Sequence, residues 1–191
     1  MTEFQHHQKR IIDLVLAVIG LVLLWWLILL AAFLAFLKTG TNGFFTQTRI
    51  GKNGKPFSIF KIRTIKMGAN PRNPPQSALS AFLRNKKLDE LPQLYNVLIG
   101  NMSFVGPRPD VPGFADKLQG KDRKLLQLRP GITGPATLQF KNEEALLAAQ
   151  ANPEHYNQTV IWPEKVRINL EYLHHWSLRK DISYIFQTIF G

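Results

Sequence analysis

The stretch LVLAVIGLVLLWWLILLAAFLAFL, Leu14 to Leu37, contains neither a charge nor a proline. As a helix rising 1.5 Å per residue it would be about 36 Å long, enough to cross a bilayer core of about 30 Å. That reading sets the organisation: residues 1–40 as a membrane anchor helix and residues 41–191 as a compact domain beside it. A cleaved signal peptide would have a shorter apolar core and a small-residue cleavage site, and "KTGTNGFF" after Leu37 supplies none. Lys9 and Arg10 precede the run, Lys38 follows it, and the remaining chain is rich in basic residues, which favours a cytoplasmic placement. Trp25-Trp26 sit near the middle although tryptophan prefers the interface, and Gly20 is the one weak point. On the residues alone, a spanning helix and a re-entrant helix that enters and leaves by one face both stay open.

The bulk numbers narrow the rest. With 45% hydrophobic residues in 191, the chain is not of disordered composition. It carries 24 Lys and Arg against 13 Asp and Glu, a formal charge of +11, which points to an anionic partner: nucleic acid, acidic lipid or a phosphorylated substrate. There is no cysteine, so disulfides and thiolate metal sites are excluded. The histidine pairs His6-His7 and His174-His175 lack the i, i+4 spacing that sets two imidazoles on one helix face.

Beyond the anchor, Asn53-Gly54 between two strand-like runs predicts a hairpin. Alternation in its second run puts Phe57, Ile59, Lys61, Arg63 and Ile65 on one face, with the two cations about 6–7 Å apart. Such cations serve either as a solvated edge or as a diphosphate holder. "NPRNPPQ", Asn70 to Gln76, reads as a loop. Leu79, Phe82 and Leu83 restore helical spacing, with Arg84, Lys86 and Lys87 on the remaining surface. Leu91, Leu94, Tyr95 and Leu98 predict an amphipathic helix ending at Gly100, with Asp89 as its N-cap. "SFVGPRPDVPG" and "LRPGITGPATL" read as Gly/Pro-rich loops built around Arg108-Pro109 and Arg129-Pro130. "NEEALLAAQ" and the segment from Trp162 to Phe190 are helical. Their Trp162, Phe186 and Phe190 suit either a core or a membrane surface, and the apolar last helix leaves a homodimer open.

The feature that asks for chemistry is Asp89-Glu90 in "KKLDELPQLYNV". A carboxylate is ionised at neutral pH, so Asp89 needs no base to act as a nucleophile. It needs relief from an anionic phosphate, which arginines and an oxygen-loving Mg²⁺ held by an adjacent carboxylate can give. A membrane enzyme acting on phosphorylated substrates therefore competes with a tethered binding module for nucleic acid or acidic lipid. No helix-turn-helix, zinc finger or aromatic RNA-binding signature supports the module, which would leave the acid pair without a role.

Together, "KRIIDLVLAVIGL", "RIGKNGKPFSIFKIRTIK", "LRNKKLDELPQLYNVLIGNMSFVGPRPD", "RPGITGPATL" and "DISYIFQTI" resemble the small monotopic phosphoglycosyl transferases of the bacterial sugar transferase family. They run in family order over nearly the whole chain. The resemblance implies an α-rich α+β fold with a membrane-embedded, re-entrant N-terminal helix and a cytoplasmic domain carrying a short β-hairpin. It implies transfer of a phospho-sugar from a UDP-sugar to a polyprenol phosphate, normally undecaprenyl phosphate, at the bacterial inner membrane. UMP is released, the route passes through an aspartyl-phosphosugar, and no nucleic acid takes part. Asp89 would be the nucleophile and Glu90 its partner in holding Mg²⁺. Lys61, Arg63, Arg84, Arg108 and Arg129 would contact phosphate.

Three departures accompany the resemblance. The family's Ser-Pro break in the membrane helix is replaced by Trp25-Trp26. Its Gly-Asp-Met-Ser becomes Gly100-Asn101-Met102-Ser103, which removes a carboxylate. Its aromatic-Ala-Gln is "PATLQF", followed by "KNEEALLAAQANPEHY", a change that fits a different sugar or a sub-branch. The sugar-reading side chains are expected in the Gly/Pro loops and between Lys141 and Trp162.

Overall fold

The computed structural model describes residues 1–66, 68 and 77–191, so the loop expected at Asn70–Gln76 lies outside the described residues. The N-terminal helix α1 runs from Glu3 to Thr39. Thr2 and Gln5 form a reciprocal capping box at its start, and Gly40 closes it in the left-handed region at φ 69°. Among the described residues it alone is long and apolar enough to cross a membrane. It is unbroken through Trp25-Trp26, so the break expected of a re-entrant hairpin is not seen. No proline interrupts its hydrogen-bond ladder, and Gly20 is packed against the side chain of Leu94, where an added Cβ would come within 3.1 Å.

One stripe of α1 is part of the domain's core. Lys9, Asp13, Ala17, Ile28, Ala31, Ala32, Ala35 and Thr39 are buried, at the three- and four-residue spacings that fall on one helix face. Ala17 packs with Ile59, Val97 and Met102. Ile28, Ala31, Ala32 and Ala35 pack with Ile62 and Leu83. The opposite stripe, including Val22, Trp25, Trp26, Leu29 and Phe33, is exposed and apolar.

Strands β1 (Phe44–Ile50) and β2 (Pro56–Ile62) form the expected antiparallel hairpin. Asn53 has φ 60° and ψ 19° and Gly54 φ 76°, two successive left-handed residues, which is why Asn-Gly is needed there. The strand ends at Ile62, so Arg63 and Ile65 do not continue the face carrying Lys61. The outer edge of β2 is satisfied by Asn96, whose side chain accepts from Phe60 N and donates to Ser58 O.

Helix α2 (Ala78–Asn85) leads through a left-handed Lys87 into a 3₁₀ turn at Leu88–Glu90 and then α3 (Gln93–Leu98). Asp89 is thus inside the 3₁₀ turn and is not the N-cap of α3; that position falls to Pro92. The buried face of α3 is Gln93, Leu94, Asn96 and Val97, while Tyr95 is exposed. The two Gly/Pro-rich segments are more ordered than loops. β3 (Ser103–Val105) and β4 (Gly131–Thr133) pair in parallel. This pairing is invisible to alternation because each strand is three residues long. A Cβ on Gly131 would lie 2.2 Å from Gly106 N, so the close approach requires glycine.

The rest of the domain is helical: α4 (Pro135–Gln139), α5 (Glu143–Ala148), α6 (Pro153–Tyr156), α7 (Trp162–His174) and α8 (Leu178–Phe190). Val105, Leu125, Leu128, Val166, Tyr172, Leu173 and Trp176 form the main core cluster. Of the expected core or surface aromatics, Trp162 packs partly against this cluster, whereas Phe186 and Phe190 are exposed.

Asp181 on α8 ties the ends of the chain together. It accepts from Lys9 Nζ at 2.6 Å, from Trp176 Nε1 at 3.0 Å and from Tyr172 OH. Both members of the Lys9–Asp181 pair are buried. Asp181→Asn should therefore lower the unfolding free energy by about 3 kcal/mol, because it leaves the Lys9 ammonium without a counter-charge. Lys9→Met in the same chain should recover most of that loss in chemical unfolding of the detergent-solubilised protein.

Candidate functional site

The 3₁₀ turn at Leu88–Glu90 sets its two carboxylates on the wall of a cavity of about 700 Å³. The turn is anchored from below: Leu88 and Leu91 pack into the cluster that holds Ile28, Ala31 and Ala35 of α1, so the acids are turned outward. Lys61 from β2 reaches Glu90 Oε1 at 2.7 Å, and Arg108, from the segment after β3, reaches the same oxygen at 3.3 Å. Arg84 from α2 also lines the cavity, 3.7 Å from Glu144 on α5.

The two neighbouring acids are held in different states. Burial raises the Asp89 carboxyl above its usual range, the Glu90 charge raises it further, and Lys61 only partly opposes them. Burial acts on Glu90 in the same direction, but Arg108 and Lys61 outweigh it and hold that carboxyl below its usual range. One acid is therefore firmly ionised and charge-paired. The other is a desolvated, poorly compensated carboxylate, the more reactive condition for an oxygen nucleophile.

Of the residues singled out in the sequence, Lys61, Arg84, Asp89, Glu90 and Arg108 line this one cavity. Arg63 and Arg129 do not. Arg63 donates to the carbonyls of Asn42 and Phe44 and lies over the Phe45 ring. Arg129 donates to Gly100 O. Asn101, the departure from Gly-Asp-Met-Ser, is also outside the cavity lining.

The cavity also reaches the Gly/Pro segments and the stretch from Lys141 to Trp162, through Asp110, Thr137, Glu143 and Trp162, and adds Lys165, Val166 and Asn169, which sequence reasoning did not name. Asp110 stands two positions after Arg108, and burial pushes its carboxyl up to about 6 despite Lys165, Arg49 and Arg108 nearby. Lys165 on α7 binds both oxygens of Glu143 on α5, at 2.6 and 2.7 Å. Trp162, Lys165, Val166 and Asn169 line the cavity at i, i+3, i+4 and i+7 of α7. The available signal was two polar residues inside an otherwise apolar stripe. Among the described residues no group of three or more histidine or acidic side chains could cage a metal. Two adjacent carboxylates do suit Mg²⁺, which commonly takes one or two protein carboxylates together with substrate phosphates.

Comparison with known proteins adds to this geometry. A family model described as bacterial sugar transferase matches residues 4–191. A Bacillus subtilis protein with the provisional name undecaprenyl-phosphate N-acetylgalactosaminyl 1-phosphate transferase is 40% identical over 59% of this chain and 68% of its own length. UDP-glucose:undecaprenyl-phosphate glucose-1-phosphate transferases of Escherichia coli and Caulobacter vibrioides are each 32% identical over 95% of the chain. The match spans 39% of the length of the first and 68% of the second.

The Asp110 environment makes a pH prediction. The folded state retains the Asp110 proton up to about pH 6, whereas an unfolded chain releases it near pH 4, so stability declines as pH rises through that window. Asp110→Asn should therefore unfold at a higher temperature than the wild type at pH 7.5. The difference should shrink as pH falls towards 4.

Proposed function

The chain belongs to the bacterial sugar transferase family, and from that premise we propose that it moves a phospho-sugar from a UDP-sugar to a polyprenol phosphate and releases UMP. The observation that carries the reading is the unequal carboxylate pair on the cavity wall: Asp89 buried and undercompensated, Glu90 held by Lys61 and Arg108. In the first step an Asp89 oxygen attacks the β-phosphorus of the donor. The bond from that phosphorus to the bridging oxygen breaks, and UMP leaves with the electron pair. In the second step the polyprenol phosphate oxygen attacks the phosphorus of the aspartyl-phosphosugar, which restores the Asp89 carboxylate and forms the diphosphate link. Lys61, Arg84 and Arg108 are among the cations on the cavity wall and would offset phosphate charge, and Arg63 and Arg129 support the backbone instead. Glu90 and Asp89 would hold Mg²⁺, which supplies further neutralisation of the diphosphate. The expected setting is the first membrane-bound step of a bacterial surface glycan.

The packing of α1 supports insertion into a single leaflet. Leu88 and Leu91, on either side of the acid pair, share a cluster with Leu21 and Ile28, so the site lies level with the middle of the apolar run. A helix standing across the bilayer would carry Lys61, Asp89 and Glu90 into the hydrocarbon, where charges are strongly disfavoured. Lys9 bonds Asp181 and Arg10 donates to Val97 O and Leu98 O, which keeps the start of the helix on the domain's side. With the exposed stripe of α1 in lipid and the domain at the cytoplasmic surface, donor and acceptor phosphates meet at one face.

Asp89→Asn should abolish UMP release while leaving the fold intact, and Glu90→Gln should reduce it by at least about a hundredfold. Incubation with UDP-sugar alone should add the mass of a phosphosugar to Asp89. Wild-type-like turnover by Asp89→Asn would remove the nucleophile assignment. A cysteine in place of Phe4 should resist a membrane-impermeant reagent applied to intact cells, and labelling from outside would overturn the single-leaflet placement.

A further inference from the structure

Among the described residues, the two that adopt a left-handed backbone without being glycine are Asn53 and Lys87. Asn53 is at the hairpin turn, where asparagine is a favoured residue. Lysine at φ 53° and ψ 23° is disfavoured, because its Cβ crowds the backbone there. The position closes α2, with Lys87 N donating to Arg84 O, and such a helix end is normally given to glycine or asparagine. Backbone held against its preference gathers at functional sites, and this residue stands two positions before Asp89.

The side chain is also set apart. Lys87 lines the cavity with Asp89 and Glu90. Burial raises the Glu90 carboxyl, and Arg108, Lys61 and Lys87 together bring it down. The other cations of the lining are committed: Lys61 and Arg108 to Glu90, Arg84 to Glu144, Lys165 to Glu143 and Lys141 to Gly191 O. Lys87 is exposed and, among the described residues, has no ion pair. A cation at the end of α2 would also suit the helix dipole, but Lys86 supplies one there from an unstrained backbone.

Leu88, the next residue, packs in the cluster that holds Leu21 and Ile28 of α1. With the outer stripe of α1 in lipid, Lys87 stands on the part of the rim that a lipid-borne phosphate reaches from beside that helix. We propose that Lys87 binds the phosphate of the polyprenol acceptor, and that its left-handed backbone is kept because it aims the ammonium into the cavity. This rests on the transfer reading above. In the second step an acceptor phosphate oxygen bonds to the phosphorus of the aspartyl-phosphosugar. The bond from that phosphorus to the Asp89 oxygen breaks, and its electron pair returns to the carboxylate. No proton moves, and Lys87 stays an ammonium that offsets the repulsion between the two anionic partners.

The test uses the full chain in lipid nanodiscs, with undecaprenyl phosphate as acceptor and UDP-glucose, UDP-N-acetylglucosamine and UDP-N-acetylgalactosamine as donors. Three quantities are read: UMP released with donor alone, the acceptor KM, and undecaprenyl phosphate retained in native mass spectrometry. Lys87→Asn and Lys87→Gly suit the left-handed backbone and should unfold at the same or a higher temperature than the wild type. Both should raise the acceptor KM and weaken retention by about tenfold or more, while UMP from donor alone changes by less than about twofold. Lys87→Arg keeps the charge and should hold the acceptor KM within about threefold. Lys86→Asn, outside the cavity lining, should leave all three quantities unchanged. Wild-type acceptor KM and retention in Lys87→Asn would overturn the proposal. Equal loss of donor-alone UMP and of acceptor use would overturn the assignment to the acceptor. Absence of UMP release by the wild type with every donor would instead sink the transfer reading, and retention would still decide the role of Lys87.

Discussion

The constraint on which the rest of the structure depends is that α1 carries two unlike apolar faces, one packed against the domain and one left open. Its buried stripe of alanines, with Ile28, packs on β2, α2 and α3, while the opposite stripe presents tryptophan, leucine and phenylalanine to the outside. Small residues on the inner face let the helix approach closely and large ones on the outer face provide apolar area. Because the 3₁₀ turn carrying Asp89 and Glu90 is seated on this helix through Leu88 and Leu91, the position of α1 also fixes the position of the site.

At the site itself, burial and charge do different things to adjacent residues. Asp89 and Glu90 share a turn and a cavity, yet only Glu90 is met by cations at hydrogen-bond distance. That asymmetry arises from long-range placement. Lys61 comes from the second strand of a hairpin and Arg108 from the segment beyond β3, so an oxygen held between them is fixed by three separate parts of the chain. Asp110 extends the acidic side of the cavity next to Lys165, in an environment that disfavours its charge. The fold thus accepts poorly solvated carboxylates where chemistry or recognition needs them, an arrangement common at functional sites.

Local signals in the sequence were enough for α1, the Asn53-Gly54 turn, the C-terminal helices and the acid pair. Each is written into consecutive residues by length, backbone permissiveness or periodicity. The misses share a cause. Asp89 looks like an N-cap because it precedes an apolar helical stripe, but Lys87 adopts a left-handed conformation and tightens the chain into a 3₁₀ turn before α3 starts. β3 and β4 are too short for alternation and are made by pairing across 28 positions of sequence, Ser103 with Gly131. Arg63 was read as continuing a strand that ends at Ile62, and Arg129 was selected by its Arg-Pro neighbour; tertiary placement sends both to backbone carbonyls. The polar stripe of α7 joins the site through tertiary contacts alone, since α4 packs beside it and Lys165 reaches Glu143 on α5.

The buried pair of Lys9 and Asp181 has a consequence for how the protein is made. The partners stand 172 positions apart, so the first helix is complete long before its counter-charge exists. At about 5–20 residues per second, synthesis leaves Lys9 waiting for roughly 10–30 s. Through that interval the ammonium must stay hydrated or rest against lipid headgroups, because entering a half-built core would strand it without a partner. The nascent helix is therefore held at the surface by its own charge until α8 arrives to draw it into place.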